Sequence, residues 1–505
     1  MLEYVAEGWA LVGNISCILI MCGGVVLGMT FGCIPGLTTN MCLAIMLPVC
    51  YSLPAMQAIS ILLGIYIGGC YGGCIGAILI NIPGTPASVA TCFDGYPMTL
   101  RGEAGRALGI AIFYSFLGTF LGFLALIFIS PAMANVGLKF GYYEFFALGL
   151  LTLTLIAGIV SDDVVKGLGA AVLGMVIACI GTAPVDGAVR LTFGYRYLVT
   201  GVKILPLTIG LYAVSALLEQ AEAGSNFVQP PLPKYKLKGF GFTLKEFVSQ
   251  IWNTLRSAVL GIFIGILPGM GANISNLVAY SVAKNSSKEP EKFGKGCIDG
   301  LVASETSNNA TLGGAIIPLL TLGIPGDSST ALLLSCLVVF GVTPGPIMFA
   351  TQKNIVYSIF ILVLLAALVS LIVVRCGLPI FVSMLKVPKY YLLPIFVLLS
   401  AVGIFGSSKL TSDIWICLAA GAFAWILKKT KIPVTPLVIA YIITSVIETN
   451  LRRGLTIAPN RSFSDFFSST LFCVLFGATI LILVYSIVKE IVRRKKKLDI
   501  REEKD

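Results

Sequence analysis

The chain has 505 residues, of which 57% are hydrophobic and 12% charged, with a net charge of +11 and a mean hydropathy of +0.94. A water-facing surface takes about 25% charged residues, so a soluble globular fold is excluded; recurrent apolar stretches long enough for a hydrocarbon core of about 30 Å mark an all-α integral membrane protein. The sequence contains no His, which removes Ser-His-Asp and Cys-His catalysis and His-based metal sites, and disfavours an enzyme.

Taken in chain order, the start carries Glu3 and Glu7 ahead of its first apolar run, which does not read as a cleaved signal peptide. Apolar stretches then follow at Trp9 to Phe31, Met41 to Leu53, Ala58 to Ile82, Ala107 to Ile129, Phe145 to Val160, Val164 to Ile180 and Ile204 to Leu218. A polar stretch comes next, with Pro230-Pro231-Leu232-Pro233-Lys234 and an amphipathic segment, Phe242 to Leu255, suited to the membrane interface. Further apolar stretches run Ala258 to Ala283, Ile298 to Leu322, Ala331 to Phe340, Ile355 to Val374, Tyr391 to Phe405, Ile414 to Leu427, Leu437 to Ile447 and Leu471 to Val488. The expected organisation is a first membrane repeat over residues 1–222, a linker with an interfacial helix over 223–256, a second repeat over 257–489 and a polybasic cytoplasmic tail over 490–505. About ten to twelve transmembrane helices fit this pattern, leaving room for re-entrant hairpins. The basic tail, Arg493-Arg494-Lys495-Lys496-Lys497, reads as a topology determinant that touches anionic lipid, not as a nucleic-acid contact.

The two halves echo each other. Gly28-x3-Gly32-x2-Pro35-Gly36-x3-Asn40 has the spacing of Gly261-x3-Gly265-x2-Pro268-Gly269-x3-Asn273. Asn81-Ile82-Pro83-Gly84-Thr85 answers to Gly323-Ile324-Pro325-Gly326-Asp327 in the same order and at nearly the same offset. Charge places the repeats in opposite directions. In the first half Arg101 and Arg106 follow the Ile-Pro-Gly segment; in the second, Lys284, Lys288, Lys292 and Lys295 precede it. With basic loops on the cytoplasmic side, the repeats are expected to be inverted, as in secondary transporters.

Pro-Gly breaks a helix, and inside a bilayer a break survives where it is buried in protein or lines a wet cavity. Four such breaks are followed by hydroxyl or amide side chains. Thr38, Thr39 and Asn40 follow Pro35-Gly36; Thr85 and Ser88 follow Pro83-Gly84; Asn273, Ser275 and Asn276 follow Pro268-Gly269; Asp327, Ser328, Ser329 and Thr330 follow Pro325-Gly326. A helix that restarts points free N–H groups and its positive dipole end at the break, which suits an anion, while freed carbonyls suit Na⁺. Asp327 stands at one restart as a helix cap or as a cation or proton site; Asn40 and Asn273 are further ion-coupling candidates, and no metal beyond Na⁺ is expected. Ser304-Glu305-Thr306-Ser307-Asn308-Asn309-Ala310-Thr311 is a second polar segment, with Ser304, Asn308 and Thr311 on one helical face and Glu305 and Asn309 on the next. It reads either as part of the solute site or as an interfacial cap with Glu305 in water. Asp94, Glu103, Asp162, Asp163 and Asp299 read as solvated residues near loops.

These segments resemble the large membrane subunit of the tripartite tricarboxylate transporter family. The resemblance rests on Gly32-Cys-Ile-Pro-Gly36, Asn81-Ile-Pro-Gly-Thr-Pro-Ala-Ser88 with Asp94-Gly-Tyr-Pro97, Ser304-Glu-Thr-Ser-Asn-Asn309 with Gly313-Gly314, Leu322-Gly-Ile-Pro-Gly326 and Thr343-Pro-Gly-Pro346. The chain departs from the family pattern at Thr38-Thr39-Asn40 and at Cys70 and Cys74. The resemblance implies a multi-pass transporter of the bacterial cytoplasmic membrane that takes up a small carboxylate. It implies a small membrane subunit and an extracytoplasmic solute-binding protein as partners, no organic cofactor, and an Na⁺ or H⁺ gradient as the driving force. The alternatives are a passive channel, which would need charged rings or a carbonyl filter, and a membrane-embedded enzyme, which would need clustered acids or His.

Overall fold

The computed structural model describes residues 2–159, 163–223, 232–233, 235–237, 239–386, 398, 401–402, 404–405, 409–459 and 461–502. Most of the expected span Tyr391 to Phe405 lies outside the described residues, as do Pro230, Pro231, Lys234 and Asp162. The described chain is helical apart from loops and one short antiparallel hairpin, Gly181–Thr182 with Val189–Arg190. Eight described helices are long and apolar enough to cross a membrane, and the protein is an all-α integral membrane protein.

The helices in chain order begin with α1 (Leu2–Val12), α2 (Ile15–Cys33), α3 (Thr39–Cys50), α4 (Ala55–Ile80), α5 (Val89–Leu100) and α6 (Ala104–Gly137). Next come α7 (Tyr142–Ile159), α8 (Val164–Ala178), α9 (Ile204–Ile209) and α10 (Ser215–Ala223), the last two joined through a π-helical turn at Gly210–Val214. The second half has α11 (Leu244–Ile266), α12 (Gly271–Asn285), α13 (Ile298–Leu322), α14 (Ser328–Val339), α15 (Met348–Thr351) and α16 (Lys353–Met384). Three helices follow, Thr411–Lys429, Val434–Ile457 and Thr470–Glu502. The expected interfacial segment and the span Ala258 to Ala283 differ from this: α11 runs unbroken across residue 256 and ends within that span, at the expected Pro268-Gly269 break before α12. Thr243 and Glu246 form a reciprocal capping box that starts α11, which is why the helix begins in the polar linker.

The chain forms two compact units. One comprises Met1–Gly137, Leu205–Leu267 and Gly271–Trp425; the other comprises Leu138–Ile204, Pro268–Met270 and Ile426–Asp505.

Within the first unit, two helix pairs are built alike. A Cβ on Gly28 would lie 2.3 Å from the Ile65 carbonyl oxygen, and one on Gly32 would lie 2.1 Å from that of Gly69. In the second half, Gly261 meets the Ser307 oxygen at 2.3 Å and Gly265 that of Thr311 at 2.6 Å. The reverse contacts agree: Gly72 lies on the Met29 oxygen and Gly314 on that of Ile262. The α2–α4 and α11–α13 crossings therefore share one residue register, set by the glycines that let two membrane helices touch backbone to backbone. Both long helices also end alike, α4 at left-handed Asn81 (φ 55°) and α13 at left-handed Gly323 (φ 69°). Asn and Gly are the residues that tolerate this conformation at a helix end.

α4 and α13 are the core of this unit, and α13 is buried along nearly its whole length. Ile59, Leu62 and Leu63 share a small apolar cavity with Ile316, Leu319 and Leu320, whereas further along α4 Cys70 meets Asn308. Position falls along α13 as it rises along α4, so the two helices run antiparallel.

The second unit holds the hairpin, α7, α8 and the last two helices. Arg190 on the hairpin makes a fork of hydrogen bonds to both Glu448 carboxylate oxygens, at 2.6 and 2.9 Å. Arg452 adds a bond to Glu448 at 2.9 Å and one to Asp186. The Ala188 N–H and then Arg452 hold the Asp186 carboxyl below the usual carboxylate range. Tyr143 stacks on Phe466 at 4.2 Å between ring centres.

Candidate substrate and ion site

Each break leads to a helix start, and the starts differ in how they are capped. After Pro35-Gly36, Thr38 caps α3 by accepting the Met41 N–H at 3.1 Å. Thr39 packs against Gly69, and Asn40 lies on the first turn. After Pro325-Gly326, Asp327 caps α14: its Oδ1 accepts the Thr330 N–H at 2.7 Å and the Thr330 hydroxyl at 2.9 Å. In return, the Asp327 N–H donates to Thr330 Oγ1 at 2.8 Å. Tyr66 of α4 supplies the remaining oxygen with a hydroxyl donor, at 2.9 Å from Oδ2. With both oxygens engaged, Asp327 has the geometry of a helix cap.

Asn40 is the meeting point of the two halves. Its Nδ2 donates to Ser328 Oγ at 3.0 Å, and its Oδ1 accepts from Ser329 Oγ at 2.5 Å. One amide from the first break thus holds both hydroxyls at the start of α14. Asn40 and Ser329 are half-buried, and Ser328 is buried.

The other restart, at Pro83-Gly84, is tightly seated. The Gly84 N–H donates to the Gly73 carbonyl at 3.3 Å, and a Cβ on Gly84 would fall 1.8 Å from the Gly32 oxygen. Gly326 sits in the matching place, 2.7 Å from the Gly265 oxygen and 2.6 Å from Ala315 Cα by the same measure. Pro83 is half-buried and Pro325 buried. Thr85 and Ser88 are buried, share a hydrogen bond at 3.3 Å and face Gly73. Thr85 therefore occupies the position that Asp327 holds in the second half, so one tip is neutral and the other carries an acid.

Asn273, the sequence counterpart of Asn40, is exposed on α12. The amide that crosses between halves there is Asn276, one turn later, whose Nδ2 donates to the Ala87 carbonyl. The identical Pro-Gly spacing does not signal this shift.

Every residue from Ser304 to Thr311 is buried, so the segment is no interfacial cap. Nor do its polar side chains act on one face. Ser304 bonds back to the Leu301 carbonyl, Asn308 accepts from Cys70 Sγ of α4 at 3.1 Å, and Thr311 reaches Ser275 of α12 at 2.7 Å and the Gly261 carbonyl of α11. Asn309 donates to the Glu305 carbonyl at 3.0 Å. α13 is surrounded so closely that neighbouring positions on it meet different helices.

Two acids are wholly buried: Asp94, read from sequence as solvated, and Glu305, which one of two sequence readings placed in water. Glu305 accepts from the Thr91 hydroxyl of α5 and, at 2.8 Å, from the Ser115 hydroxyl of α6. Asp94 Oδ1 accepts the N–H groups of Gly294, Gly296 and Cys297 at 2.9, 2.8 and 2.7 Å. Tyr66, Thr91 and Ser115 carried no sequence signal, each being one of several scattered polar residues on its helix.

Hydroxyls and amides dominate at both tips. Such groups give donors and acceptors to a carboxylate or a partly dehydrated cation without the full cost of burying a charge.

Residues 18–439 match the family described as "Tripartite tricarboxylate transporter TctA family". The chain is 32% identical to an "Uncharacterized 52.8 kDa protein in TAR-I ttuC' 3'region" of Agrobacterium vitis, over 86% of each chain. It is 31% identical to an "Uncharacterized protein in TAR-II ttuC' 3'region" of the same organism, over 39% of this chain and 82% of that one. No solved structure matches it. With the family spanning most of a polytopic chain whose four Pro-Gly breaks lie within the matched residues, the protein belongs to the Tripartite tricarboxylate transporter TctA family.

Proposed function

We propose that the protein is the large membrane subunit of a secondary transporter that imports a small carboxylate across a bacterial cytoplasmic membrane. An inward ion gradient drives uptake. A separate extracytoplasmic binding protein delivers the solute, and a small membrane subunit completes the complex. The observation that carries this reading is Asn40, whose one amide engages Ser328 and Ser329 where the first break meets the α14 start. A carboxylate that displaces this amide gains two hydroxyl donors beside the positive end of a helix. Solute entry then separates groups contributed by the two halves, which is what a transport cycle requires.

The antiparallel run of α4 and α13, with their shared glycine register, supports an inverted repeat about an axis in the membrane plane. In this reading Thr85 and Ser88 offer the neutral tip to the solute, and Asp327 fixes the opposite tip through Tyr66 and Thr330. Proteoliposomes holding both membrane subunits, with binding protein outside, test the proposal. Citrate and other carboxylates should accumulate above equilibrium when an Na⁺ or H⁺ gradient is imposed. Filling to equilibrium alone would mark a passive pore.

A further inference from the structure

Glu305 is a wholly buried acid of the first unit that the proposed solute site does not use. Its side chain lies about two turns into α13 and packs wholly inside the bundle. Thr91 Oγ1 donates to Oε1, Ser115 Oγ donates to Oε2 at 2.8 Å, and Asn309 Nδ2 lies 3.5 Å from Oε2. No Lys or Arg pairs with it among the described residues. The titratable groups near enough to feel its charge are Cys70, Tyr71 and Cys74 of α4 and Cys92 of α5. α6 turns Ser115 and Thr119 toward this region, while α11 and α12 meet α13 through Gly261 and Ser275. None of these groups brings a positive charge.

An isolated carboxylate at this depth is costly, and it is relieved by binding a cation. Two observations select the cation. Apart from the carboxylate itself, the side-chain groups around it are the Thr91 and Ser115 hydroxyls and the Asn309 amide nitrogen, and two hydroxyl oxygens are too few to replace the oxygen shell of Na⁺. Beside it, the buried Asn309 Oδ1 has no hydrogen-bond donor. A protonated Glu305 has an O–H to give, and the Asn309 amide, turned over, accepts it in exchange for its bond to the Glu305 carbonyl.

We infer that Glu305 is a proton-binding site whose carboxylate takes up H⁺ and whose carboxyl releases it during each uptake cycle. The inference rests on the transport reading above and names its coupling ion and the residue that carries it. Its link to solute movement is Thr91. That residue lies one turn beyond Ser88, so a shift of the Pro83–Ser88 tip moves a donor on or off the carboxyl.

The test uses the purified two-subunit membrane complex and Glu305→Gln, which mimics the protonated carboxyl. Infrared difference spectra across a pH titration should show a protonated carboxyl band in the wild type that fades with rising pH and is missing in Glu305→Gln. Thr91→Val and Ser115→Ala keep the carboxyl and should each move the midpoint of that band by at least half a pH unit. They decide the matter should Glu305→Gln not insert. In proteoliposomes with binding protein, citrate and a trapped pH dye, the wild type should acidify as citrate enters. Glu305→Gln should still exchange internal for external citrate, but acidify the lumen and accumulate citrate at least tenfold less.

A band that persists in Glu305→Gln or ignores Thr91→Val and Ser115→Ala overturns the proposal. So does proton entry at the wild-type rate in Glu305→Gln, or a loss in that variant of sodium-driven uptake instead. Wild-type vesicles that move no carboxylate overturn the transport reading, and the infrared band alone then decides whether Glu305 binds a proton.

Discussion

Tyr66 of α4 donates its hydroxyl to Asp327 Oδ2 at 2.9 Å and so ties the central helix of the first half to the helix cap of the second. Tyr66→Phe removes this donor and leaves one oxygen of a half-buried carboxylate unpaired, at a cost of about 1 kcal/mol. The expected result is a lower thermal unfolding temperature in detergent, with uptake reduced in proportion to the loosened tip. Unchanged stability would mean that Asp327 finds another donor.

The glycines at the two tips should differ in tolerance. Gly84→Ala drives a Cβ to 1.8 Å from the Gly32 oxygen, and Gly326→Ala brings one to 2.6 Å from Ala315 Cα. Overpacking against backbone costs about 1–3 kcal/mol or more, so Gly84→Ala should be the worse of the two. Gly23 has nothing within 4 Å of its added Cβ, and Gly23→Ala should behave as wild type. Uptake per correctly folded transporter, with folding scored by gel filtration, ranks the three.

Asn40→Ala and Asn273→Ala separate the sequence repeat from the working contact. Asn40 bonds to two serines across the halves, while Asn273 is exposed. Asn40→Ala removes the contact between halves that opens and re-forms in each cycle and should reduce the maximal uptake rate about tenfold, equivalent to about 1.4 kcal/mol, and Asn273→Ala should leave it within about twofold. Equal loss in both would assign Asn273 a role that its position does not suggest.

Asp94→Ala strips one acceptor from three N–H groups of the loop ahead of α13. Bonds to a charged acceptor are worth about 1.5–3 kcal/mol. The loop carries exposed Lys288 and Lys292, so trypsin should cut it faster in this variant than in the wild type. No change in the rate would show that Arg101, which donates to the Lys295 and Gly296 carbonyls, holds the loop alone.

The breaks and much of the helical order were legible because Pro-Gly and hydropathy act locally. Ile298 to Leu322 was bounded correctly from sequence, since a basic loop and Gly323 mark its ends. The character of that helix was not legible. Its run of Ser, Thr, Asn and Glu looks like a wet helix start, yet every one of those side chains finds a place inside the bundle. Burial of Glu305 depends on Thr91 and Ser115, which come from two other helices distant in sequence. Asp94 misled in the same way, because its partners are backbone N–H groups that no side-chain pattern reports. At α11 the polar linker masked a continuous helix, because its capping box lies before the apolar run begins.

The most direct test of the site is the position of the solute itself. A cryo-electron microscopy map of the complex with saturating citrate, compared with a map without it, locates the bound carboxylate. The account predicts new density against Ser328 and Ser329, with Asn40 turned away from both hydroxyls and the neutral Thr85 tip facing the same ligand. Citrate density elsewhere, with the Asn40–Ser328–Ser329 bonds intact, would contradict it.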